Sequence, residues 1–239
     1  YGLSQLNLRD STDPTIVSIS TGNALTPLVT TMGGIGEACN AGGEAHEGIL
    51  VTVTDVTIET EPNNYGEITI NDGSGATQLE DSILDTDTHL SDALCSPLIG
   101  QTIESVTGVV RFAYGSFEIH PRDASDIVLA ASSGDCGSGA SDIGSGASDI
   151  SGATHTAYQI NTDVTGSGDC EASNLVGTFV TVAGYVTALD TNGFYMQDGM
   201  VAAAHTGIYV YLATEEHASY DPTWMSARGL GVRPAPRVD

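Results

Sequence analysis

The sequence predicts an all-β protein made of two small barrels in tandem, joined by a linker rich in Gly, Ser and Asp. Short runs of Val, Ile and Thr are broken by Gly, Asn, Asp and Pro, aromatic residues make up only 6%, and 29 of the 239 residues are Gly. β-branched runs between turn residues are typical of short strands rather than of helices. The length allows one large or two small cores, and an internal repeat favours two.

The first predicted barrel covers residues 39–131 and contains five predicted strands. They lie at residues 49–59, 65–71, 76–79, 102–114 and 116–120. Alternation along 49–59 predicts one face with Leu50 and Val56 and an opposite face with Val51 and Val53. The length of this strand favours one that bends around a barrel.

The second predicted barrel covers residues 157–239 and is a looser copy of the first. FVTVAGYVTA at 179–188 answers ILVTVTDVTI at 49–58, and a third strand is predicted at 205–212. After Glu215 no counterpart of the hairpin at 102–120 is evident. The second unit is therefore predicted to lack its last two strands.

Residues 1–38 are predicted to form an N-terminal arm and lead-in, and residues 132–156 a linker in which GSGASDI occurs twice. Two interpretations of the arm, which carries Leu3, Leu6 and Leu8, remain open. It is either a frayed terminus or an extended segment that adds to a sheet edge, on its own or a neighbouring chain. Residues 32–45 are predicted to be a Gly-rich loop without a helical pattern.

The charge balance of the chain limits the classes of partner that it can bind. The chain has 31 Asp and Glu against 6 basic residues, all of them Arg, for a formal net charge of -25. Such a surface repels phosphate backbones and disfavours nucleic acid. It fits either a solvated acidic surface or bound Ca²⁺, which takes oxygen ligands. The calcium candidates are Asp81, Asp85, Asp87 and Asp92, whose spacing does not match an EF-hand and which equally suit a solvated loop.

The four cysteines are Cys39, Cys95, Cys136 and Cys170, and none forms a C-x-x-C pair. Two disulfides are predicted, with reduced buried thiols as the alternative. Of the three connectivities we favour Cys39–Cys95 and Cys136–Cys170, because each closes within or beside one unit. The chain starts at Tyr1 and has no apolar run near 18 residues, so we expect a processed extracellular protein without a membrane span.

Catalytic motifs are missing from the sequence. The six His residues form no H-x-H or H-E-x-x-H pattern, and no G-x-S-x-G elbow is present. The sequence therefore predicts neither an enzyme nor a zinc site.

Several segments carry a family resemblance: Glu47-Gly48 before a long strand, NDGSG at 71–75, PRDASDI at 121–127 and GFYMQDG at 193–199. The chain resembles OB-fold domains of secreted bacterial proteins, of the kind appended to extracellular endonuclease/exonuclease/phosphatase-type nucleases. The resemblance implies five-stranded barrels with a face that binds oligonucleotides or sugars. The candidate residues for such a face are Arg111, Phe112, Tyr114 and Arg122, although alternation predicts that several are core.

The expected function is that of a non-catalytic extracellular structural protein. An arm that completes the open sheet of the next subunit would link chains head to tail into a homopolymer. The alternative is an oligonucleotide- or glycan-binding accessory module of a secreted nuclease. A metal-dependent enzyme using the acidic residues is the third hypothesis.

Overall fold

The structure, a computed structural model, describes residues 5–8, 23–84, 90, 94, 99–130, 153–164 and 172–212. The strands are β1 (Gln5–Asn7), β2 (Leu28–Val29), β3 (Leu50–Ile58), β4 (Ile68–Asn71), β5 (Ala76–Leu79), β6 (Thr102–Ala113), β7 (Ser116–His120), β8 (Ile127–Leu129), β9 (Tyr185–Asp190), β10 (Gly193–Gln197) and β11 (Gly207–Tyr211). The helices are α1 (Met32–Ile35), α2 (Ala41–His46) and α3 (Ala157–Thr162). The predicted all-β class with a barrel is confirmed.

Five strands close the first unit into a barrel. β3, β4 and β5 form an antiparallel meander, β5 pairs in parallel with β7, and β7 pairs antiparallel with β6. β6 then pairs antiparallel with β3 and completes the ring. β2 and β8 extend it beside β3 and β6. Closure satisfies the backbone of every barrel strand inside one contiguous stretch of chain, so the ring exposes no sheet edge.

The first barrel strand changes its inward face halfway along. Val51 and Val53 lie in the barrel core, but so do Val56 and Ile58, which alternation places on the opposite face. Between them Asp55 has φ 55°, a left-handed conformation that Asp tolerates better than β-branched residues do. The prediction of two constant faces is therefore wrong beyond this residue.

Residues ahead of β3 contribute to the barrel core. Met32 and Ile35 of α1, assigned from sequence to the lead-in, are fully buried in it. α2 packs its Gly43 against Phe117, where an added Cβ would lie 2.1 Å from the ring. The Gly-rich stretch at 32–45 was predicted to be a loop, and this prediction is wrong, because two short helices form there. Thr31 and Asn40 cap them, each accepting a hydrogen bond from a backbone N–H of the first turn.

The second unit is a four-stranded sheet with the order β1-β11-β10-β9. β9, β10 and β11 form an antiparallel meander from the three predicted strands, but β9 begins only at Tyr185. Of residues 179–184, only Val182 makes a β-bridge, with His155. α3 packs on the sheet through Ala157 and Ile160, starting from a capping box between Thr156 and Gln159.

The remaining sequence predictions concern residues that the structure covers only in part. The linker at 132–156, apart from 153–156, and the segment after Glu215 lie outside the described residues. In the part of the chain that is described, no helix is both long and apolar enough to cross a membrane.

Candidate functional site

The N-terminal strand occupies the edge of the second sheet. β1 pairs in parallel with β11, with Leu6 beside Val210, and the N–H of Leu8 donates to the carbonyl of Tyr211 at 3.2 Å. Leu6 and Leu8 are half-buried against a cluster that includes Phe194 and Val210. The arm is thus neither frayed nor unpartnered over residues 5–8. It completes a sheet of its own chain.

This pairing repeats a feature of the barrel. There β7 lies in parallel beside β5, the third strand of its meander, with Ile119 beside Leu79. In the second unit β1 lies in parallel beside β11, again the third strand of a meander. β1 therefore takes the position that corresponds to β7 of the barrel.

The second sheet packs on the outside of the barrel wall. Leu50 and Val109, which are register partners on β3 and β6, contact Tyr195 and Tyr209 of the sheet. The N–H of Leu50 donates to Oε1 of Gln197 at 3.3 Å inside this interface. The two units thus share an apolar interface.

Two glycines allow the backbones of the units to touch. A Cβ on Gly207 would lie 2.2 Å from the carbonyl carbon of Gly48. Gly48 itself has φ +75°, which favours glycine. The approach explains why Gly precedes the first barrel strand.

Arg111 lies at this interface and not on an open binding face. It is the register partner of Glu118 on β7, and it is half-buried. Burial lowers the pKa of the guanidinium, but electrostatic interactions with Tyr195, Asp190 and Glu118 outweigh it and raise the pKa. The hydroxyl of Tyr209 donates to Asp190 at 2.8 Å. Arg111 is therefore held as a half-buried cation between the two units.

The other three residues predicted for a binding face are dispersed. Phe112 packs against the core and its ring centroid lies 4.7 Å from that of Phe117. Tyr114 is 93% exposed at the tip of the β6–β7 hairpin. Arg122 donates two side-chain hydrogen bonds of 2.8 Å to Asp126. The four residues do not form one aromatic and basic strip.

The face of β4 and β5 is where OB-folds commonly bind their ligands. Its outward residues among the described strands are Thr69, Asn71, Ala76 and Gln78. None offers an aromatic platform or a positive charge, which single-strand binding requires.

The structure assembles a cluster that the sequence did not reveal, formed by Glu80, Glu118 and His120. Nδ1 of His120 lies 2.9 Å from Oε2 of Glu80, and Nε2 lies 3.1 Å from Oε2 of Glu118. His120 and Glu118 are buried and Glu80 is nearly so. The hydroxyl of Ser82 is 3.3 Å from Nδ1.

The cluster stabilises a positive imidazole. Burial lowers the pKa of His120, but the hydrogen bonds and charges of Glu118 and Glu80 outweigh it and raise the pKa above 6.5. Burial likewise raises the pKa of Glu80, yet the hydrogen bond and charge of His120 bring it down to about 2. Two carboxylates thus share one cationic ring inside the barrel wall.

Sequence reasoning missed this cluster because its members are distant along the chain. Glu118 and His120 are two residues apart on one face of β7, and that spacing carried the only local signal. Glu80 joins them through the parallel pairing of β5 and β7, where its N–H donates to the carbonyl of Ile119 at 3.1 Å. A parallel pairing of remote strands cannot be read from spacing.

The predicted calcium and disulfide residues fall largely outside the described chain. Asp81 is described, and its Oδ2 accepts a hydrogen bond from the N–H of Leu90 at 3.3 Å. Asp85, Asp87 and Asp92 are outside, so the calcium site stays a prediction. Cys39 is disulfide-bonded. Cys95, Cys136 and Cys170 are outside as well, and the predicted pairing stays open.

Residues 43–133 match a family model described as Domain of unknown function (DUF8508). The match runs from α2 through β8 and so coincides with the closed barrel. No curated protein matches the chain. The family description carries no activity, and the resemblance to modules of secreted nucleases stays a prediction.

Proposed function

We propose that the chain is a non-catalytic, extracellular structural protein that assembles head to tail into a homopolymer by exchanging β1 between copies. The observation that carries the proposal is the parallel pairing of β1 with β11. A sheet made in one segment is completed by a strand from a distant one. Such a strand can be supplied by a second copy with the same contacts.

Exchange of an identical strand changes few interactions. Leu6, Leu8 and the pairing with β11 would be the same whether the strand comes from the same or a neighbouring chain. The balance between the two states then depends on protein concentration and on the strain of the connection. One strand donated and one accepted per chain is a head-to-tail contact, which gives a filament when the rotation does not close.

Charge and cysteine chemistry support the extracellular part of the proposal. The disulfide of Cys39 is typical of oxidising compartments. A net charge of -25 opposes close packing of copies unless salt or cations screen it. We therefore expect assembly to increase with ionic strength.

The experiment compares wild type with Leu6→Glu/Leu8→Glu by light scattering and negative-stain electron microscopy over a range of protein concentrations. The control is Gln5→Glu/Asn7→Asp, which adds the same charge on the exposed positions of β1. Wild type and control should form polymers, and the Leu variant should not. Equal polymers in all three proteins, or a monomeric wild type at every concentration and salt, would contradict the proposal.

A binding module for oligonucleotides or glycans receives less support. Arg111 is half-buried at the inter-unit interface and Arg122 is paired with Asp126. Fluorescence anisotropy with single-stranded DNA at low salt tests it, because electrostatic binding is strongest there. Tight binding that falls in Arg111→Ala would favour this alternative.

A further inference from the structure

The cluster of Glu80, Glu118 and His120 lies away from the paired strands β1 and β11. The proposed exchange of β1 between copies does not involve it. Each residue offers one ligand atom, and these three atoms all lie within 4.8 Å of one another. Ligands of a single ion lie about 3 to 3.5 Å apart around a metal with bonds near 2.0–2.2 Å, so the three side chains would have to draw closer together as an ion binds. Unlike most carboxylates in the described part of the chain, Glu118 is buried.

The ligand atoms are held by paired strands. Glu118 and His120 project from one face of β7, and Glu80 directly follows β5, which is the parallel neighbour of β7. On the other side of β7, Gly108 of β6 lies so close that an added Cβ would be 2.7 Å from the carbonyl carbon of His120. Two of the three donors are therefore held by a barrel strand, and the third is next to a strand end that is tied to β7 by the hydrogen bond from the N–H of Glu80 to the carbonyl of Ile119.

Negative charge exceeds positive charge around the cluster. Glu80 and Glu118 face one imidazole, and Arg111, the register partner of Glu118, also interacts with Asp190 of the second sheet. A divalent cation bound to a neutral imidazole would neutralise both carboxylates. The overall charge of -25 adds a favourable field for cations.

We propose that Glu80, Glu118 and His120 form a binding site for a divalent first-row transition cation of the Zn²⁺ or Mn²⁺ type. Two carboxylates and one imidazole are the donors that such ions take, whereas Ca²⁺ and Mg²⁺ prefer oxygen alone. The hydroxyl of Ser82, near Nδ1, lies where it can supply or hold a further oxygen donor. This site is separate from the calcium candidates around Asp81.

Calorimetry on the full chain, dialysed against EDTA and then freed of chelator, tests the proposal. Titration with ZnCl₂ should show one tight site per chain, and CaCl₂ should not compete for it at equal concentration. Glu80→Gln should weaken Zn²⁺ binding roughly tenfold or more, since it removes a ligand at the least buried position of the cluster. Asp81→Asn is the matched control and should bind like wild type.

A second readout uses the unaltered protein, so that it does not depend on how the variants fold. Co²⁺ added to the wild type should give visible absorption bands distinct from those of the aqueous ion, and Zn²⁺ should abolish them. Absence of tight Zn²⁺ binding and of these bands in wild type would overturn the proposal. Equal Zn²⁺ affinity in wild type and folded Glu80→Gln would overturn it as well, and neither result bears on polymer formation.

Discussion

The two sheets of this chain take their parallel strand from different parts of the sequence. The barrel takes all five of its strands from residues 50–120, so its parallel pair β5–β7 forms within one stretch of chain. The second sheet takes three strands from residues 185–211 and its parallel partner from residues 5–7. The first unit is closed by its own sequence, whereas the second depends on a remote strand. That dependence is the reason why we propose the second unit as the point of exchange between copies.

The two parallel strands, β7 and β1, differ in burial as well as in their position along the chain. Ile119 of β7 is fully buried in the barrel, and its neighbour His120 is fully buried in the charged cluster. Leu6 of β1 is only half-buried, and the residues on either side of it are exposed. A strand with few buried contacts opens at a lower free-energy cost than a core strand. The following predictions test this difference, in order of decreasing effect.

His120→Ala should have the largest effect, because it leaves Glu80 and Glu118 without their shared cation inside the barrel wall. Removing one partner of a buried charged pair costs about 3–5 kcal/mol. Urea unfolding followed by circular dichroism measures the loss. His155→Ala, whose ring bonds only the hydroxyl of neighbouring Thr154, is the control and should unfold near wild type. Equal losses in the two variants would mean that the cluster is not a stabilising feature.

Ile119→Ala and Leu6→Ala form a matched pair, since both residues lie on the parallel strand of their sheet. Ile119→Ala should lower the unfolding free energy by about 2–5 kcal/mol, because it empties a fully buried site. Leu6→Ala should cost about 1 kcal/mol, because the side chain is only half-buried. Denaturation midpoints measure the loss of unfolding free energy in each variant. A larger loss in Leu6→Ala than in Ile119→Ala would contradict the proposed difference between the two parallel strands.

Gly207→Ala tests the contact between the units. Its Cβ would meet the Ile49 nitrogen at 2.4 Å as well as Gly48, so the sheet must shift away from the barrel. Overpacking of this kind costs about 1–3 kcal/mol. Gly199→Ala, where the nearest atom is 3.5 Å away, is the control for thermal unfolding. A Gly207→Ala protein as stable as this control would show that the units do not pack closely.

Asp72→Asn should have the smallest effect. Burial raises the pKa of Asp72, but hydrogen bonds from Ser74 and from the N–H of Met32 outweigh it and lower the pKa below 3.8. A lowered carboxyl pKa stabilises the fold above pH 3.8, and the gain disappears as pH falls through the folded value. The variant should lose less than about 1 kcal/mol at neutral pH and approach wild type in acid, because the group is only partly buried. A loss that does not change with pH would contradict this assignment.

Local patterns predicted the strands well. The strands at 76–79 and 116–120 have the bounds expected from sequence, and the strand at 102–114 ends one residue early. Each is a β-branched or aromatic run bounded by turn residues, so the signal lies within the segment. The two short helices at 32–46 were missed because their glycines hid a weak helical signal. The N-caps Thr31 and Asn40 were the available clue.

The functional features depend on contacts between remote segments, which local patterns do not encode. β1 reaches β11 across nearly the whole chain, and Leu6 gave no sign of which sheet it would join. Glu80 reaches His120 only through the parallel pairing of β5 and β7. The prediction that the second unit lacks its last two strands concerns residues after Glu215, which lie outside the described part of the chain, so it stays a prediction.

Cysteine cross-linking between copies tests the exchange of β1 most directly. Asn7 and Tyr211 are register partners on β1 and β11, so Asn7→Cys and Tyr211→Cys place thiols side by side wherever the strands pair. The two single variants are mixed at assembling concentration, oxidised mildly and separated on a non-reducing gel. Strand exchange predicts a cross-linked dimer in the mixture and none in either variant alone. A mixture without cross-link, together with an efficient link inside the chain of the double variant, would show that β1 stays in its own chain and would contradict the proposed assembly.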